Sequence, residues 1–275
     1  MSVINTNVSA LYSQNAMKTN ARAMSTAMEQ LSTGTRVNSA KDDAAGLAIG
    51  QNMTSQIRGL NQAVRNVNDG INMMQTAEGA MVEQSNMLQR MRELAIQAMN
   101  GTYSNTQRGY LNKEFEQLTA QIGAIAKDTM WNDQPLLNGL CGASGTFTYQ
   151  AGQDADQTIS VTVGQMTVSG LQVDGLAIGT LTAAAAALTP ISSALEAINL
   201  QRAEIGAGIN RMAYAADNLT NIASNQTQSR SSIMDTDYAL ATTQLAKTQI
   251  IQQAATAMLA QANQQPQGVM ALLKG

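Results

Sequence analysis

MTSQIRGLNQAVRNVNDGINMM, residues 53–74, decides the fold. Met53, Ile57, Leu60, Val64, Val67, Ile71 and Met74 follow one another at alternating steps of four and three. That spacing lays one apolar seam along one side of an α-helix, and a seam repeating every seven residues needs a partner helix to cover it. No proline interrupts residues 44–100. The helix therefore extends over the whole segment, roughly 85 Å at about 1.5 Å per residue, too long for a compact globule.

Composition agrees with thin, closely packed helices. Hydrophobic residues make up 44% of the 275, but aromatics only 3%, while methionines number 17. Buried surface must come from Ala, Met, Leu, Ile and Val. A net charge of −3 with no Lys/Arg cluster argues against nucleic acid as a partner. The single cysteine, Cys141, rules out an intrachain disulfide and reads as a small apolar filler. No run reads as long and apolar enough to span a bilayer, so no membrane partner is expected, and MSVINTNVSA lacks the features of a secretory signal. The reading is of a protein that stays inside or leaves without a cleaved signal.

Upstream of the long helix, Met17, Ala21, Met24, Met28 and Leu31 keep the four-three rhythm among Ser, Thr, Asn and Gln. This is a weak amphipathic helix that buries too little to order itself alone. LSTGTRVNSAKDD breaks the pattern, with Gly34 free to take an unusual backbone angle and Ser39 or Asp42 placed to cap the long helix. Downstream, Asn100-Gly101 suits a turn, and Leu111, Phe115, Leu118, Ile122 and Ile125 predict a helix returning against the first. TFTYQ and TISVTV, separated by AGQDADQ, then predict a β-hairpin, with Phe147 and Tyr149 on one face opposite Ile159, Val161 and Val163. MTVSGLQVDGLAIGT, residues 166–180, reads as irregular or short strand.

Helix resumes at Leu181 or at Pro190, the latter with Thr189 as cap. Ile191, Leu195, Ile198, Ile205, Ile209, Met212, Ala216 and Leu219 repeat the heptad rhythm, with Arg202 intruding. A second break, SIMDTDYA, leads to a weak terminal segment carrying Leu245, Ile250, Ile251, Ala254, Met258 and Leu259, which Pro266 is expected to end before an apolar tail, VMALL. The two ends mirror each other, so a chain folded back at its middle lays both termini side by side. The fold class is mainly α: a long antiparallel coiled-coil-like helical rod with paired N- and C-terminal helices and a small β-hairpin region.

Several strings in this order carry a resemblance: VINTNVSAL, LSTGTRVNSAKDDAAGLAI, LQRMRELAIQAMNG, RAEIGAGINRM, SIMDTDYA and LAQANQQPQGVMALL. They resemble the signature segments of bacterial flagellin, here a short form without large surface domains. The resemblance implies a structural subunit that is exported unfolded and polymerised at the distal tip by folding of its terminal helices, for swimming motility. It places 1–43 and 235–275 in an inner tube, 44–139 and 181–234 in a helical rod, and 140–180 in a short variable hairpin region. Met17, Met24, Met28, Leu31, Leu245, Ile251, Met258 and Leu259 would then be the apolar positions of the assembly helices. Small residues and Met at the seams suit a polymer that switches between supercoiled forms.

The implied partners are further copies of the chain, a flagellar export chaperone on 235–275, and the filament cap and hook-filament junction proteins. The vertebrate Toll-like receptor that senses flagellin is implied too. Gln89, Arg90, Leu94 and Glu114 match positions that this receptor recognises, with Arg90 and Leu94 one helical turn apart. The same residues could serve filament packing alone.

Catalysis has little to stand on. No histidine exists in the chain, which excludes triads, His-based acid-base chemistry and the zinc peptidase graft that some flagellins carry. Lys41, Asp42 and Asp43 read as a capping turn, and GAGINR follows a helical pattern, so it is not a phosphate loop. No cofactor is expected. Five Asn-x-Ser/Thr sequons, among them Asn52 and Asn218, read as chance, while Ser144, Thr146 and Ser169 are open to O-linked sugars. The alternatives are a hook-filament junction protein, which shares the terminal architecture but does not grow, and a coiled-coil signalling or adaptor protein, which needs no mirrored weak ends.

Overall fold

A computed structural model describes residues 6–140 and 145–273, with side chains as far as Gln264. Cys141, Ser144 and the side chains of VMALL lie outside the described residues. The elements are α1 (Val8–Thr33), α2 (Ala44–Ala98), α3 (Asn105–Asp128), β1 (Met130–Trp131), β2 (Gln134–Pro135), β3 (Thr146–Gln150), β4 (Thr158–Thr162), α4 (Leu181–Met234) and α5 (Tyr238–Leu273). The chain forms two compact units, one of residues 56–224 and one of residues 1–55 with 225–275. Their boundaries fall inside α2 and α4 and not at the two sequence breaks.

In the first unit the core draws on α2, α3, α4 and the middle segment. Ile57, Leu60, Val67 and Met74 of α2 are buried, and Val64 and Ile71 half-buried beside them. From α4 come Ile191, Ile198, Ile205, Met212 and Leu219, with Leu195 half-buried, and from α3 Phe115 and Ile122. Two glutamines meet this core at 0% and 6% exposure. Gln84 donates to the carbonyls of Met166 (3.0 Å) and Ile122 (3.4 Å). Gln201 accepts from Gly164 N (2.9 Å) and donates to Thr162 O (2.8 Å). Their amides replace the water that the irregular 162–166 backbone loses on burial. Arg202, beside the seam, reaches Glu78 at 3.4 Å.

The β-hairpin puts the expected residues on one face, and its register sets Phe147 opposite Val161 and Tyr149 opposite Ile159. Thr146 and Thr148 face Thr162 and Ser160 on the exposed side. Glycines on both long helices let it approach closely. A Cβ on Gly70 would lie 2.9 Å from the Tyr149 ring, and one on Gly208 3.0 Å from Val161. The Tyr149 hydroxyl rests 3.3 Å from Met73 Sδ, and burial pushes its pKa up to about 12. A second hairpin, β1–β2, was not expected from the sequence. Its two-residue turn, Asn132-Asp133, holds both residues at positive φ (48° and 62°), as the tightest hairpin turns require.

Helix boundaries correct several sequence expectations. The cap of α2 is Asp43, whose Oδ1 accepts from Gly46 N at 2.8 Å. Asp42 is engaged by Ser39 N and Oγ, both at 3.0 Å, and the Ser39 hydroxyl bond lowers its pKa. Helix α4 starts at Leu181, with Thr180 Oγ1 accepting from Ala183 N, and Pro190 lies inside it. Five consecutive alanines, the best helix formers, carry the helix through that proline. The same alanines give an 18-residue window of α4 a mean hydropathy of 1.4, enough by length and composition to cross a membrane. That revises the expectation that no run qualifies. Of that window 28% is buried, including Ala184, Ala187, Ile191 and Ala194 in the core.

The turn after α2 is held by a residue the sequence did not mark. Arg108 is 6% exposed and donates to Ala98 O (2.6 Å), Asn100 O (3.0 Å) and Asn105 Oδ1 (3.0 Å). It thus caps the C-terminus of α2 from α3, while Ser104 and Gln107 form a capping box at the start of α3. Replacing Arg108 by Met keeps the stem and leaves the buried Ala98 carbonyl without its donor, while Asn100 O keeps Tyr103 N at 3.3 Å. We expect a loss of about 1–3 kcal/mol in denaturant unfolding of this unit. A change under about 0.5 kcal/mol, the usual range for surface positions, would refute the capping role.

Candidate functional site

The second unit begins where the two sequence breaks meet. Thr35 and Asp235 form an antiparallel bridge. Arg36 N donates to Met234 O (2.6 Å), and Thr236 N donates to Gly34 O (3.0 Å). Gly34 ends α1 in the left-handed region at φ 72°, and the Tyr238 hydroxyl reaches back to Leu31 O (3.4 Å). Arg36 adds a bond to Ile233 O at 2.8 Å. On the far side Asp237 Oδ1 caps α5 by accepting from Ala239 N and Leu240 N. Gly50 faces Met234 so closely that a Cβ there would lie 2.5 Å from its sulfur.

From this clamp α1 and α5 run antiparallel as a pair, and their seam takes in only part of the apolar residues of either helix. On α1 the residues turned inward are Met17, Asn20, Met24, Ala27 and Leu31. On α5 they are Ala241, Leu245, Thr248, Gln252, Ala255, Leu259 and Ala262. Each set keeps strict heptad steps, with polar or small residues where larger apolar ones stand next door. Asn20 Nδ2 donates to Thr248 O at 2.7 Å and to Gln252 Oε1 at 3.2 Å. A buried amide in a heptad seam sets register at a cost in stability.

Ala21 and Met28 on α1 are exposed although the four-three rhythm aligns them with Met17, Met24 and Leu31, and Ile250, Ile251, Ala254 and Met258 on α5 are exposed as well. Val8, Leu11, Tyr12 and Leu240 are exposed with them. The fully buried apolar residues of this unit are Ala27, Val37, Ala241 and Ala262 among those described. The pair shows water larger apolar side chains than it hides. A groove of about 570 Å³ runs between the helices, lined by Tyr12, Thr19, Ala23, Lys247 and Ile251 among others.

Helix α5 also continues past Pro266 to Leu273, where the sequence was expected to stop it. A proline has no N–H for the carbonyl four residues earlier, which here is Ala262 O. Asn7 Nδ2 donates to that oxygen at 2.7 Å, while its Oδ1 caps α1 by accepting from Ala10 N at 3.1 Å. One side chain thus closes the start of α1 and fills the gap in α5.

The residues matched to receptor recognition lie in the other unit and divide in two. Gln89, Arg90 and Glu114 are exposed, and Arg90 binds Glu114 at 2.9 Å and Glu93 at 3.0 Å. The Glu114 hydrogen bond, then that of Glu93, raises the Arg90 pKa. Leu94 is 0% exposed. It belongs to the core cluster and offers no surface knob, although it stands one helical turn from exposed Arg90. Among the described residues no His/Cys/Asp/Glu group is arranged to hold a metal ion.

Comparison with known proteins gives a consistent set of likenesses. Residues 4–141 match the bacterial flagellin N-terminal helical region, and residues 188–273 the bacterial flagellin C-terminal helical region. The chain is 41% identical over 274 residues to a flagellin of Halalkalibacterium halodurans, spanning 99% of this chain and 100% of that one. It is 37% identical over 285 residues to flagellin FlaB1 of Treponema pallidum, at the same coverages, 99% and 100%. The crystal structure of Bacillus cereus flagellin superposes with a TM-score of 0.51 at 30% identity, over 59% of this chain and 94% of that one. A putative flagellar hook-associated protein from Vibrio parahaemolyticus reaches 0.61 at 14% identity, over 70% and 100%, a likeness of fold alone.

The double duty of Asn7 is open to a mutant cycle. Asn7→Ala is expected to raise the rate of tryptic cleavage at Lys18 and Lys247 about five- to tenfold, since cleavage follows the open population. With Pro266→Ala in place, the restored N–H serves Ala262 O and the same substitution should raise it only about half as far on a logarithmic scale. Equal increases in both backgrounds would separate Asn7 from Pro266.

Proposed function

We infer that this chain, which belongs to the bacterial flagellin family, is a structural subunit of the flagellar filament and not an enzyme. The observation that carries the reading is the divided apolar content of α1 and α5: their mutual seam mixes Asn20, Ala27, Thr248 and Gln252 with half-buried Met17, Met24, Leu31, Leu245 and Leu259, and Tyr12, Met28, Leu240, Ile250, Ile251 and Met258 stand outside. Each such side chain contributes about 1.5–3 kcal/mol when fully covered. Further copies of the same chain cover them in the polymer. The pair alone is marginal and opens readily, and neighbours lock it. The filament lies outside the cell.

The finer mechanism follows from that marginality. The chain is exported unfolded and its terminal helices order at the growing tip. Before export, residues 235–275 carry the apolar positions that an export chaperone wraps, and at the two ends of the filament the same surface meets the cap and the hook-filament junction proteins. A junction protein or a coiled-coil adaptor would not grow from seeds. The exposed face of Gln89, Arg90 and Glu114, supported from beneath by buried Leu94, is the part offered to a vertebrate Toll-like receptor by released monomer.

Purified protein added to short filament seeds should lengthen them, as seen by electron microscopy. Light trypsin treatment of unseeded monomer should cut at Lys18, Arg22, Arg36 and Lys247 and stop at a core near residues 44–234. Seeds that never lengthen, together with ends that resist trypsin, would overturn the assembly reading. For the receptor, Arg90→Ala with Glu114→Ala should abolish a cell-based response to monomer. The exposed pair contributes only about 0–1 kcal/mol to folding, so unchanged unfolding is the expected control. A full response from the folded variant would remove the receptor from the list of partners.

A further inference from the structure

We propose that Met28 and Met258 are two separate oxidation-sensitive modification sites, at which conversion of the thioethers to sulfoxides blocks assembly and assembly in turn shields them. The proposal rests on the assembly reading above. The chain has 17 methionines, and the structure sorts them sharply by access. Met73, Met74, Met81, Met91, Met166 and Met212 are buried in the core. Met17, Met24, Met53, Met87, Met99 and Met234 are half-buried. Among the described residues only Met28 (54% exposed), Met130 (48%) and Met258 (64%) stand in solvent. Two of these three lie on the terminal helices, each one residue from a position of the α1–α5 seam.

A large thioether held in water has no folding role in the isolated chain. Covered by a neighbouring copy it is an adaptable apolar contact. Oxidation reverses that contact, since a sulfoxide is polar and chiral and must be desolvated to be covered. The oxidant is a two-electron oxygen donor of the hypochlorous acid or hydrogen peroxide class. The thioether sulfur attacks the electrophilic oxygen, an S–O bond forms, and the O–Cl or O–O bond breaks. Sulfur loses two electrons, and chloride with a proton, or water, leaves. The core methionines escape because the oxidant cannot reach them. Met130, on β1 in the other unit, reacts without consequence for assembly and serves as the internal control.

The test uses full-length Cys141→Ser monomer, so that no thiol competes for oxidant, treated with graded hypochlorite or peroxide before seeding. Peptide mapping should find sulfoxide at Met28, Met130 and Met258 before any buried methionine. Seeded growth should fall about tenfold when Met28 and Met258 are oxidised and return after methionine sulfoxide reductase treatment. Met28→Leu with Met258→Leu should keep growing after the same dose, and Met130→Leu should give no protection. Unchanged growth with both sulfoxides mapped, or equal sensitivity of the double Leu variant, overturns the proposal. Failure of untreated protein to grow overturns the assembly reading instead.

Discussion

The terminal unit depends on a short piece of antiparallel backbone pairing between two segments two hundred residues apart in sequence. Thr35 meets Asp235, and the bonds from Arg36 N to Met234 O and from Thr236 N to Gly34 O fix the register on either side. Backbone donors and acceptors that leave a helix end must find partners, and here the two breaks supply one another. The left-handed turn at Gly34 and the Asp237 cap then aim α1 and α5 in opposite directions along one line. Without that clamp the helices beyond it have too little apolar seam to choose a pairing.

What lies beyond the clamp is held by specificity more than by burial. Ala27, Ala241 and Ala262 fill positions where a stable coiled coil would carry Leu or Ile, and Asn20 pairs with Thr248 and Gln252 across them. A slip of one heptad would strand the Asn20 amide against apolar carbons, which costs more than the thin seam returns. The helix pair thus has one register and small stability, and its larger apolar groups remain for an outside surface. This division is what a subunit needs if it must stay soluble alone and gain most of its order from neighbours.

The other unit solves a different problem, that of joining long helices to an irregular middle. Methionine and alanine pack the helices closely, and glycines at 70 and 208 admit the hairpin's Tyr149 and Val161. Polar side chains from the helices then reach the backbone that no sheet satisfies: Gln84 for Met166, Gln201 for Thr162 and Gly164, Arg108 for the end of α2. Each sits on a helix, where its position is rigid, and serves a segment that has no regular pairing of its own. The hydroxyl face of the β3–β4 hairpin, Thr146, Thr148, Ser160 and Thr162, points to solvent.

Local sequence was enough for the helices, the two breaks, the faces of the β3–β4 hairpin and the family. Heptad spacing, a Gly at the αL position and strict alternation in TFTYQ and TISVTV are local signals with one physical reading each. It did not determine which helix face turns inward. Apolar spacing brought together Met17, Met24, Leu31, Leu245 and Leu259, which turn inward, and Ala21, Met28, Ile251 and Met258, which turn outward beside Asn20, Ala27, Gln252 and Leu259 of the realised phase. A weak seam has two nearly equal phases, and the hydrogen bonds of Asn20 and Asn7 across the helix pair separate them. Pro266 was read as a stop because its lost hydrogen bond was visible and its replacement, from a residue at the other end of the chain, was not. Tertiary structure decided those points for one reason: each rests on a partner hundreds of residues distant, whose contribution no local pattern records.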